Sequence, residues 1–100
     1  MTGVPVEVGG ATYVLEPQPV RTSLTDSPHM LWGFQVHVLR GAELLGVKTC
    51  FVGRVSVQAR APAALEGPID GLVPVLHELA LAKVKERLEA GETGDEILFA

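Results

Sequence analysis

LWGFQVHVLRGAELLGVKTCFVGRVSVQAR, residues 31 to 60, decides the fold of this chain. Apolar and polar residues alternate through it, as they do in a strand with one face on a core and the other in water. In the first half the even positions Trp32, Phe34, Val36 and Val38 are apolar, and Gly33, Gln35 and His37 fall between them. In the second half the odd positions Leu45, Val47, Thr49, Phe51, Val55, Val57 and Ala59 form the expected core set. Lys48, Cys50, Arg54, Ser56 and Gln58 then fall on the wet face.

Between the two runs, Gly41-Ala42 fits a two-residue turn, with Gly where a type II′ turn needs positive φ. That register sets Phe34 opposite Thr49 and Trp32 opposite Phe51. A longer loop over 41–46 slides the pairing by four and sets His37 opposite Cys50. Both keep the same faces inward, so the hydrophobic pattern leaves the choice open. Gly46 and Gly53 are candidate bulge or bend positions in a very long strand.

Upstream, VPVEV (4–8) and ATYVLE (11–16) flank Gly9-Gly10, which predicts a hairpin with a type I′ turn. One face carries Val4, Val6, Val8, Ala11, Tyr13 and Leu15. Pro5 donates no ladder hydrogen bond, so the first strand is expected to lie at a sheet edge or to have that position facing solvent. Residues 17–30 hold three prolines among Ser, Thr and Asp and show no period, so they read as a connecting loop that is long enough to be functional.

Downstream, IDGLVPVLHELALAKVKERLEAGE (69–92) predicts a long helix. Asp70 is a fair N-cap, Gly91 a stop, and Leu72, Val73, Leu76, Leu79, Ala80 and Val84 form the packing stripe. Val75, Leu81 and Ala82 widen the apolar surface of its first half, as if that half were covered from two sides. The closing run Glu96-Ile97-Leu98-Phe99 reads as a last strand. The order β-β-β-β-α-β defines an α+β domain over residues 1–100: an antiparallel sheet of four to five strands with one long helix on one face.

One hundred residues, 47% of them apolar, make a single ordered domain. The lone Cys50 forms no internal disulfide, and with no signal-like or membrane-spanning apolar run a cytoplasmic location is expected. No metal, cofactor or phosphate-loop signature is present: His77-Glu78 is followed at 81 by Leu, so it is no metalloprotease motif. His37 and Cys50 would neighbour each other only in the slid register, and no orienting third group or oxyanion feature accompanies them. The chain is expected not to be an enzyme.

Two readings of function remain. Residues 44–65 carry a net charge of +3 in a chain of net −4, so Lys48, Arg54, Gln58 and Arg60 are the candidate face for an anion, nucleic acid or partner. The first-ranked reading is different. Val14 and Val52 on nominally wet faces, together with the apolar first half of the helix, suggest a small interaction or regulatory domain that forms a homodimer.

Overall fold

A computed structural model describes residues 3–24 and 31–100. Strands β1 (Val4–Val8) and β2 (Ala11–Pro17) form the expected hairpin, with Gly9 and Gly10 at φ 58° and 82° and Val6 opposite Tyr13. The stretch expected to be loop contains a short strand, β3 (Thr22–Leu24), paired with the start of β4 (Leu31–Arg40). The rest of that stretch from residue 25, with His29, lies outside the described residues.

β5 (Glu43–Gly53) pairs antiparallel with β4, and β6 (Glu96–Phe99) pairs parallel with β5. The sheet runs β1-β2-β4-β5-β6, with β3 beside β2 on the same side of β4. It is thus an α+β fold whose sheet is antiparallel except at its last pair. β1 is an edge strand, the first of the two arrangements that Pro5 allows, and β6 is the opposite edge.

The β4–β5 register corrects the sequence reading. The turn at Gly41-Ala42 sets Arg40 opposite Glu43 and Leu39 opposite Leu44, but Val38 then faces Gly46. Leu45 is the extra residue of a β-bulge. Beyond it the pairing shifts by one, so Phe34 faces Cys50 and Trp32 faces Val52. A shift of one residue turns every later side chain of a strand to the other face. The even residues Lys48, Cys50 and Val52 are therefore fully buried, while Val47, Thr49 and Phe51 take the outer face at half burial. The odd-position core expected for β5 is the outer face, and Val52 is core.

β5 also stops earlier than its alternation implied. Residues Arg54–Arg60 are a short helix, α1, followed by a 3-10 turn over Pro62–Leu65. Gly53 faces Leu31, the first residue of β4, and bonds Ala100 just past β6. From Arg54 the backbone satisfies its groups within the helix, whose end is closed by the Ala61 N–H on the Val57 carbonyl. Val57 of α1 enters the core, and Val55 is 82% exposed.

Helix α2 (Ile69–Glu89) starts after Pro68, whose carbonyl accepts the Gly71 N–H; Asp70 lies in its first turn rather than capping it. Its buried residues Leu72, Leu76, Ala80, Val84 and Leu88 recur every four positions and form one core with Leu15, Trp32, Phe34, Val36, Val38, Cys50, Val52 and Leu98. At its end the Gly91 N–H bonds the Leu88 carbonyl and the Glu92 N–H bonds the Arg87 carbonyl, with Gly91 at φ 86°. This is a Schellman stop. On the second apolar side of the helix Val75, Leu79 and Leu81 are half-buried against the core, as are Val20, Ala64 and Leu65, while Ala82 and Ile69 are exposed.

Candidate contact surface beside the last strand

The four residues expected to share a basic strand face do not meet. Lys48 points inward, fully buried, while Arg54, Gln58 and Arg60 are exposed on α1. Arg60 Nη2 donates to Glu78 Oε1 on α2 at 2.6 Å. On a helix Arg54 and Gln58, four apart, share a side that Arg60 does not. No continuous cationic face results, because the strand that would have aligned these residues ends at Gly53.

Lys48 has a structural task instead. Its Nζ donates to the Glu92 carbonyl and to Glu96 Oε1, each at 2.7 Å. Arg87 from α2 holds the other carboxylate oxygen, with Nη2 3.0 Å and Nε 3.2 Å from Glu96 Oε2. Hydrogen bonds from Lys48, then from Arg87, hold the Glu96 carboxyl below the usual carboxylate range. Glu96 thereby joins β5, α2 and β6. Two further contacts place the segment that leads into β6. Asp95 Oδ1 accepts the Val47 N–H at 2.8 Å, and the backbone of Thr93 and Gly94 crosses so close over Gly46 that a Cβ there would lie 2.6 Å from the Thr93 oxygen.

The remaining candidate chemistry is absent by geometry. Cys50 is buried on the core side of β5, and burial pushes its thiol up to about 12 against a smaller opposing effect of Lys48. His37 faces Val47 from the outer side of β4. The two lie on opposite faces of the sheet, so no thiolate–imidazole pair forms. His77 on α2 lies with its ring 5.1 Å from that of Phe34, and its Nε2 is buried without a hydrogen-bond partner among the described residues. Burial lowers its pKa, and the Gln18 backbone acts the other way. Among the described residues no group of three or more His, Cys, Asp or Glu could hold a metal ion. Among the described residues no helix is long and apolar enough to cross a membrane.

What does stand out, among the described residues, is the apolar outer face where β5 meets β6. Phe51 and Phe99 stack with centroids 5.6 Å apart, and beside them Ile97 and Phe99 are 66% and 67% exposed. Parity explains this surface: Glu96 and Leu98 face α2, so Ile97 and Phe99 must face away from it. The sequence showed the two residues but not their direction, because the β5 parity on which it depends was hidden by the bulge at Leu45. Comparison with protein families, curated proteins and solved structures finds nothing that matches this chain.

Proposed function

We propose that this chain is a small cytoplasmic interaction or regulatory domain that acts as a homodimer and performs no catalysis. The observation that carries the reading is the apolar outer surface formed by Phe51, Ile97 and Phe99 at the β6 side of the sheet. Apolar side chains clustered at an uncovered sheet edge are characteristic of a protein contact, whereas scattered ones are ordinary surface. A second copy supplies a matching surface through two-fold symmetry, the commonest closed arrangement of soluble oligomers. The lone cysteine, buried and with its thiol pushed to high pKa, agrees with a protein that needs no disulfide and uses no thiol nucleophile. Light scattering at micromolar concentration is expected to give twice the chain mass of 10.6 kDa. A stable monomer over that range overturns the reading.

A further inference from the structure

We propose that two copies of this chain pair their β6 strands antiparallel about a two-fold axis through Leu98, with Ile97 of each copy opposite Phe99 of the other. The inference rests on the homodimer reading and specifies how it is built.

The backbone of β6 sets the geometry. Ala100 sends both its groups inward to β5: its N–H bonds the Phe51 carbonyl at 2.9 Å and its carbonyl accepts the Gly53 N–H at 3.2 Å. Backbone groups alternate in direction along a strand, so those of Leu98 point inward and those of Ile97 and Phe99 point outward. Among the described residues no strand lies beyond β6. The N–H and C=O of Ile97 and Phe99 are therefore four ladder groups on an open edge. Antiparallel pairing of Ile97 with the partner's Phe99 joins both residues in hydrogen-bonded pairs and closes four bonds across the axis.

Other registers fit less well. Setting Ile97 opposite its own copy brings Phe99 against Asp95, which lies outside the strand and whose carboxylate already holds Val47. Setting Phe99 opposite its copy no longer places Ile97 across from Phe99, so the two exposed side chains of β6 do not cover one another.

The two edges of the sheet differ in the way this pairing needs. β1 carries Pro5 and Glu7, two devices that discourage strand addition, and its Val8 and Val6 turn to the core side. β6 has neither: Ile97, Leu98 and Phe99 are apolar, and the only charge on the strand, Glu96, is held inside by Lys48 and Arg87. The side chains of paired residues in such a ladder stand about 5 Å apart, so the exposed Ile97 and Phe99 cover one another across the axis.

The test is proline substitution in the full chain. In Ile97→Pro the lost N–H is one that points outward, so β6 keeps its bonds to β5, while two of the four bonds across the axis vanish. Sedimentation velocity is expected to show the dimer dissociating at least about tenfold more readily, with the circular dichroism of the wild-type chain retained. A second measurement does not depend on proline: a mixture of Ile97→Cys and Phe99→Cys chains is expected to form a disulfide between 97 and 99 well ahead of either variant alone. A wild-type dimer that survives Ile97→Pro, forms no mixed disulfide and is split by Phe51→Glu would show packing through the sheet faces; that overturns the β6 pairing and leaves the homodimer standing. A wild-type monomer overturns both.

Discussion

The Lys48 ammonium lies 2.7 Å from the Glu96 carboxylate with the lysine side chain wholly enclosed, and this contact ties the middle of β5 to the first residue of β6. A buried ammonium left alone is strongly unfavourable, whereas a buried pair and an apolar replacement of similar length are often close in stability. Glu96→Gln and Lys48→Ala are thus expected to lower the thermal midpoint more than Lys48→Met does, as read by calorimetry. Equal losses in Lys48→Met and Lys48→Ala would mean that the stem of Lys48 contributes nothing.

Stability near neutral pH should carry the signature of His77. Its folded pKa is lowered below the ordinary 6.5 by burial, so the unfolded chain binds the extra proton first as pH falls. The folded state is therefore expected to lose stability as pH drops below about 6.5, down to the folded pKa, and to recover it on return. Denaturant midpoints at pH 7.5 and pH 5.5 check this. The difference should shrink in His77→Leu, because Leu has no proton to bind.

At still lower pH a second loss follows from Glu96. Its carboxyl is held below 4.5 by Lys48 and Arg87, so its contribution is present above 4.5 and disappears as pH falls through the folded value. Glu96→Gln is expected to flatten the acid limb of the stability profile below pH 4.5 while leaving the His77 step in place.

Gly46 tests the crossing of residues 93–94. A methyl group at this position would stand 2.6 Å from the Thr93 oxygen and 2.7 Å from the Gly94 carbonyl carbon, which are backbone atoms and cannot swing aside. Gly46→Ala is expected to cost about 2 kcal/mol in urea unfolding, in the range of overpacked positions. Gly94→Ala, with open space around it, should cost far less.

The helix over Arg54–Arg60 makes opposite demands on two valines that a strand would treat alike. Val57 is fully buried and Val55 is 82% exposed. Val57→Ala is expected to cost roughly 1.5–3 kcal/mol, and Val55→Ala within about 0.5 kcal/mol of nothing, both read from denaturant midpoints. Equal costs at the two positions would restore the strand.

The outward position of Phe51 was out of reach of the sequence, and the reason is local. Alternation is strong on both sides of Gly41-Ala42, and it identified β4 with its core face Trp32, Phe34, Val36 and Val38 correctly. It cannot register one extra residue, because Leu45 is as apolar as its neighbours. Lys48 is the residue that misleads most: a lysine at an even position labels that face as wet, yet its charge is answered by Glu96 from 48 residues away in sequence. The same distance hides the exposed apolar surface, which exists only once Phe99 lies beside Phe51.

By itself the sequence determined the elements that rest on short-range physics. Gly9-Gly10 imposed the first hairpin, the four-residue repeat from Leu72 to Leu88 imposed α2 against one face, and Gly91 ended that helix. Tertiary structure decided which face of β5 is inside, where that strand stops, and what becomes of its cations. Two of these depend on neighbours that reach a given strand position from elsewhere in the chain: the bulge against Val38 and the carboxylate of Glu96 beside Lys48. Alternation reports the burial that a residue prefers; pairing partners fix the burial that it receives.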